Sequence, residues 1–353
     1  SSAASDVYKR QRLPNPTSSI VGMRGHRKLG ALACALLLVA TGCGRTDKAL
    51  VPDPVAPIVR VGYSAMAPDY VLAKLYVAVL QLKGVPARLD RIESRRAADG
   101  VRNVGPVVTQ TSSIGHRAKL HAISTGLVDV VPEYTSQLLF AMNPDAPILR
   151  ATVRRDTANP DTEFDPVFTE MTRSLPQETR SLQPSHAERT MVLAVRNKDP
   201  HTDGIRTYSQ LADRCERFSI LIHAYPADAP EMEHWADLVN HRYRCTPRSL
   251  VTEMTVTSGD DVVLTFAPDP LLLSEDWRLL TDDLHSVATA YIFPLVAKSA
   301  IDRPRQLIFD ELSENLTTMD VAELLRVEYR TPDQLDQFIS NWLRAKGFSG
   351  HEK

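Results

Sequence analysis

The chain carries no excess charge of one sign: 41 Lys and Arg stand against 43 Asp and Glu, a net charge of -2. No global field therefore favours nucleic acid or an anionic membrane as a partner. Catalytic signatures are missing too. The sequence has no GxSxG, no HExxH, no phosphate-loop lysine and no GxGxxG, so hydrolytic, zinc-protease and nucleotide chemistry have no support, and an enzyme is not expected. The doublets Asp260-Asp261 and Asp282-Asp283 sit in polar turns and read as solvated faces. His234 and His241 lie on a predicted helix without a third ligand, so neither a metal nor a cofactor is expected. Internal repeats and coiled-coil heptads are absent as well. Aromatics make up only 6% of the residues, which gives weight to any ring next to a strand end.

A long apolar run is also lacking. The stretch 29–40 has 12 apolar or small residues, short of the ~20 needed to span a bilayer. It follows Met23 and the basic Arg24, His26, Arg27 and Lys28, which is the layout of a signal h-region. It runs into Ala40-Thr41-Gly42-Cys43, small residues before a cysteine, as in a lipobox. The expectation is an upstream extension over 1–22, a lipoprotein signal over 23–42, lipid on Cys43 and a polar tether over 43–57. Of the four cysteines, Cys34 then falls in the leader and Cys43 carries lipid. Cys215 and Cys245 remain as an even pair in an oxidising compartment and are expected to form a disulfide.

At 353 residues the chain is long enough for two lobes. The periodicity predicts strands at 58–62, 85–89, 128–131, 191–195, 218–223 and 262–266, with an edge at 277–281. Helices are expected at 69–83, 116–125, 136–142, 231–243, 303–316, 317–326 and 331–346, and a helix start at 208–215. Gly126 gives a helix-ending signal. Residues 97–113 read as a polar loop, and 143–185 as mixed loop and helix. Alternating strands and helices give an α/β architecture with parallel pairing. Ligands in such sheets sit beyond the carboxyl ends of the strands, which singles out 64–70, 132–135, 223–226 and 266–270.

Several segments carry a resemblance. They are Val59-Arg60-Val61-Gly62 through Tyr70 to Tyr76, the run from Ala122 through Gly126 to Pro132-Glu133-Tyr134-Thr135, Leu193-Ala194-Val195-Arg196, Leu316-Thr317-Thr318 and Lys346-Gly347-Phe348. Over roughly 58–348 the chain resembles the glycine betaine/choline/carnitine-type substrate-binding proteins of osmoprotectant ABC importers. The resemblance implies a periplasmic-binding-protein-like (type II) fold of two α/β lobes, two crossover segments and ligand in the cleft. Carried over, lobe one is 58–134 plus 267–353 and lobe two is 135–266, with crossovers near Tyr134 and Phe266. It further implies a monomer working with ABC permease subunits, held to the membrane by its lipid.

A quaternary ammonium donates no hydrogen bond and is held by the negative faces of aromatic rings. By resemblance Tyr134 is one wall of such a cage. Phe266 is a second wall or plain core, and Tyr225 is a candidate third. Where the family has a Thr-Glu-Gln run this chain has Ala67-Pro68-Asp69. Asp69 either pairs with a cationic head or caps the helix starting at Tyr70. His116 either contacts ligand or faces solvent in a first helical turn. Met66 and Thr190 complete the expected ligand-binding set. With these departures, choline or another cation fits at least as well as a zwitterion. The alternative to transport is a lipid-anchored receptor for a small cationic solute.

Overall fold

The computed structural model describes residues 57–93, 107–150, 165–218, 220–225, 228–251 and 261–350. The expected leader, Cys43 and all but the last residue of the tether lie outside them. The chain opens with β1 (Val59–Tyr63), α1 (Ala67–Leu82), β2 (Ala87–Arg91), α2 (Val107–Ser124) and β3 (Val130–Tyr134). β1 pairs in parallel with both β2 and β3, as the opening βαβ pattern implies. α1 turns Val71, Leu72, Leu75 and Val79 inward, all fully buried, because these positions recur on one face of a helical period. Gly126 adopts a left-handed φ of 68° just past the end of α2, the conformation its place in the sequence suggests.

The chain continues through α3 (Thr135–Met142), α4 (Pro147–Arg150), α5 (Pro166–Ser174) and β4 (Thr179–Ser181). A second group follows: β5 (Met191–Arg196), α6 (Tyr208–Ala212), β6 (Ile220–His223), α7 (Ala229–Tyr243), β7 (Pro247–Val251), β8 (Val262–Phe266) and β9 (Trp277–Leu279). β10 (Ile292–Ala297), α8 (Arg303–Asn315), α9 (Thr318–Arg330) and α10 (Leu335–Ala345) complete the described chain. The strands form two five-stranded sheets, ordered β2-β1-β3-β10-β4 and β7-β6-β8-β5-β9. Each holds three parallel strands followed by antiparallel ones. This is the expected two-lobed α/β fold.

The lobe boundaries differ from those carried over by resemblance. β4 pairs with β10 in the first sheet, and β9 pairs with β5 in the second. The described residues 135–150 and 165–181 therefore stay with lobe one, and 267–279 with lobe two. The crossovers run at about 182–190 and 280–291, not at Tyr134 and Phe266. The reason is packing. Leu138 and Leu139 of α3 and Met171 of α5 share one core with Phe293 and Leu295 of β10, which holds that segment on the first sheet. The first crossover is bonded to the second and to the start of β10: Arg189 N–H donates to Ala290 O and Ile292 N–H to Ala187 O, each at 2.8 Å.

One further expectation is corrected, and one central strand has no counterpart among those expected. α2 begins at Val107, inside the stretch read as a loop. Thr, Ser and Gly residues over 109–115 have low helix propensity, which is why the stretch reads as a loop in sequence. β10 is fully buried although Pro294 stands at its centre. Thr135 N–H donates to Tyr291 O, which makes Tyr134↔Ile292 a non-hydrogen-bonded pair. Two rungs on, so is Pro132↔Pro294. Neither proline owes a donor to that ladder; Pro294 turns its backbone to the other side, where its carbonyl accepts from Leu182 N–H just past the end of β4.

Cys215 and Cys245 are joined by a disulfide within the lobe-two core. It closes a sequence separation of 30, which on the chain-entropy account gives about 3–4 kcal/mol. Replacing both cysteines by serine is expected to lower unfolding free energy by about that amount in urea titrations. A loss below about 1 kcal/mol would contradict this role for the bridge.

Candidate functional site

Lobe one contributes the carboxyl ends of β1 and β3, where the strand order changes direction and open α/β sheets place ligands. Past β1 the chain enters α1 with Pro68 in its first turn, and Asp69 follows, completely buried. The Ser64 hydroxyl donates to its carboxylate at 2.6 Å, the Ser64 N–H at 3.2 Å and the Tyr134 hydroxyl at 2.5 Å. Lys119 of α2, fully buried, lies 3.1 Å from Asp69 Oδ2 and 3.3 Å from Glu133 Oε1, and donates to Pro132 O at 2.9 Å. His116, one turn earlier on α2, is 2.7 Å through Nδ1 from Glu133 Oε2. Residues three apart share a helix face, so α2 presents His116 and Lys119 together to the end of β3. The result is a buried chain of alternating groups: Asp69, Lys119, Glu133, His116.

Burial alone would raise the Asp69 pKa, but the Lys119 charge and hydrogen bonds from Ser64, Tyr134 and Lys119 hold it below the usual carboxylate range. The Tyr134 phenol is pushed well up, first by burial and then by the Asp69 charge. Asp69 thus neither meets solvent nor bonds the end of α1, which has no side-chain cap. His116 is mid-helix and buried rather than solvent-facing. Met66 precedes α1 and packs near Gly115, where an added Cβ would lie 3.3 Å from its sulfur. α2 can approach this closely because position 115 has no side chain.

Lobe two contributes the ends of β6 and β8. His223 and Thr265 both hydrogen-bond Asp269 Oδ2, while Asp269 Oδ1 accepts from Leu271 N–H at 2.8 Å. Tyr225 follows β6, packs edge-on to Tyr329 of α9 at 6.0 Å and thereby touches lobe one. Among the described residues its buried hydroxyl has no hydrogen-bond partner. Burial, then the Asp269 and Asp228 charges, raise its pKa. Tyr225, Asp228, Phe266, Asp269 and Leu325 line a cavity of about 10 Å³, close to one water sphere.

The junction of the halves is made by a residue that sequence reasoning missed. Arg189 sits in the first crossover and is completely buried. Its guanidinium carbon lies 3.7 Å from the Phe266 ring centre and 5.3 Å from that of Tyr134. Nη2 is 3.1 Å from Asp228 Oδ1, and Nη1 donates to Gln137 Oε1 at 3.0 Å. Tyr134 and Phe266, each expected as a cage wall, thus both face Arg189, a cation of the protein itself, and Lys119 Nζ lies over the Tyr134 ring as well, at 4.8 Å. Thr190 beside it donates to Glu188 Oε2 at 2.7 Å and accepts from Ala290 N–H at 3.0 Å, tying the crossovers together. Nothing in the Glu188-Arg189-Thr190 sequence signals this role; only the position of the crossover brings it out. Among the described residues no His, Cys, Asp or Glu cluster could hold a metal, and no helix is long and apolar enough to cross a membrane.

With this geometry in view, comparison with known proteins is decisive. The profile of the substrate-binding domain of ABC-type glycine betaine transport systems matches residues 97–345, more than half of the chain. The chain belongs to this family. The substrate-binding domain is therefore of the ABC-transport kind, and its fold recurs in solved structures. It is similar to apo YehZ of Escherichia coli, at 16% identity and a TM-score of 0.56 over 83% of this chain and 100% of that one. It is also similar to a protein described as a glycine betaine/carnitine/choline ABC transporter, at 11% identity and a TM-score of 0.58 over 82% and 99%. At such identities the likeness concerns the fold. No functionally curated protein matches the sequence.

Breaking a buried ion pair by removing one partner typically costs about 3–5 kcal/mol. Asp69→Asn is expected to fall in that range near neutral pH, since Lys119 keeps only Glu133. Because the folded pKa of Asp69 is depressed, its stabilisation is present above the unfolded value of about 3.9 and fades as pH falls through the folded value. The stability gap between wild type and variant should accordingly narrow from pH 6 toward pH 3 in urea unfolding. A gap constant with pH would remove Asp69 from this role.

Proposed function

We propose that this domain captures a quaternary ammonium solute of the choline or glycine betaine class outside the cell and delivers it to the ABC permease. It works as a non-enzymatic monomer anchored through lipid on Cys43. The observation that carries the reading is the convergence of the Phe266 and Tyr134 rings, one from each lobe, on a single delocalised cation. A seat that accepts a guanidinium between two π-faces suits a soft, poorly hydrated positive charge. Asp228, beside the same group, adds favourable field for a cation. The family match and the two-lobed fold support a solute-binding role. Closure of two lobes around a solute by a hinge is a recurrent motion of such folds, and the bonded crossovers through Arg189, Thr190 and Ala290 supply a hinge region.

Calorimetric titration and thermal melting with choline, glycine betaine and carnitine test this. At least one is expected to raise the melting temperature by mass action. Phe266→Leu keeps apolar bulk but removes the π-face. A cation–π contact of about 0.5–2 kcal/mol predicts roughly 2- to 30-fold weaker binding in that variant. No melting shift with any of the three solutes would contradict the ligand class.

A further inference from the structure

We infer that Arg189 is a built-in surrogate for the solute cation: its guanidinium holds the Phe266–Tyr134 seat and must leave before a quaternary ammonium can enter. This rests on the reading of the cleft as a quaternary ammonium site. Four observations carry it. The guanidinium is stacked at 3.7 Å on Phe266, well within the reach of a cation–π contact. Its hydrogen-bond and ion-pair partners come from both lobes, Gln137 on α3 and Asp228 before α7. Asp228 occupies the N-cap position of α7 yet makes no capping bond; its carboxylate is turned to Arg189 instead. The cavity beside Phe266, lined also by Tyr225, Asp228 and Leu325 and about 10 Å³, takes about one water, so it offers no second seat for a trimethylammonium group next to that ring.

The arrangement mimics the liganded state from within. A cation between the rings, an acidic partner and contacts to both lobes are what an external cation would supply. Arg189 is anchored by its backbone to the second crossover, with its N–H on Ala290 O at 2.8 Å, so only its side chain has to move. A solute then binds the fraction of molecules whose guanidinium has swung away, and its apparent affinity is reduced by that fraction. Arg189 thereby sets the solute concentration at which the domain loads, and selects for cations able to replace a guanidinium on Phe266.

The test is choline and glycine betaine affinity by calorimetry for wild type, Arg189→Met and the charge-balanced pair Arg189→Met with Asp228→Asn. The pair serves if the single variant, which leaves Asp228 buried beside an apolar chain, does not fold. Expected is choline binding about tenfold or more tighter than wild type in the single variant, and tighter than wild type in the pair. Unchanged or weaker choline binding in every folded variant, with wild type binding, overturns the surrogate role and leaves the solute class standing. Selective loss of glycine betaine binding in Arg189→Met overturns it too, by making Arg189 the partner of the solute carboxylate. Absence of binding by all proteins overturns both the inference and the ligand class beneath it.

Discussion

A guanidinium buried between two aromatic rings, one from each lobe, is the contact on which the rest of this cleft depends. Burying Arg189 completely requires that its charge be matched, because the desolvation penalty for an ion amounts to several kcal/mol. Asp228, Gln137 and the faces of Phe266 and Tyr134 supply that compensation together. Because these groups belong to different lobes, the compensation draws on both of them. The same group that neutralises the cleft therefore also joins its two sides.

Behind each ring stands a fixed polar base. In lobe one Tyr134 is tethered through its hydroxyl to Asp69, which Lys119 and Ser64 hold in turn, and Glu133 links Lys119 to His116. In lobe two Asp269, at the end of the segment following Phe266, gathers His223, Thr265 and the turn at Leu271. Both carboxylates sit beyond the carboxyl ends of parallel strands, and each helps fix the loop that follows. The two lobes thus solve one problem in the same way: a buried acid near the strand end, satisfied by local donors, fixes the backbone from which a ring projects. Rings held this firmly can present a cation-binding face without reorganising.

Much of this was legible in the sequence. Alternation in β1, the apolar stripe of α1 and the Gly126 signal placed the opening βαβ unit, and Pro132-Glu133-Tyr134-Thr135 marked the end of β3. Phe266 and Tyr134 were singled out and do share one partner. β10 was not legible, since a proline at the centre of Ile292–Ala297 argues against a central strand until it is seen opposite Pro132. Missing that strand misplaced both crossovers, and with them Arg189, which on the earlier boundaries lay inside a lobe. The start of α2 was hidden by weak helix formers, which concealed that His116 is mid-helix and buried. Arg189 itself carries no local signature, because its placement comes from contacts with residues 52 and 39 positions away, at Gln137 and Asp228.

The central claim is that the seat on Phe266 belongs in turn to Arg189 and to a solute cation. A crystal structure of the wild-type domain saturated with choline tests it most directly. The account predicts the quaternary nitrogen over the Phe266 ring, with the Arg189 side chain turned out of the position it holds 3.7 Å from that ring. Choline bound elsewhere, with the guanidinium still stacked on Phe266, would contradict it.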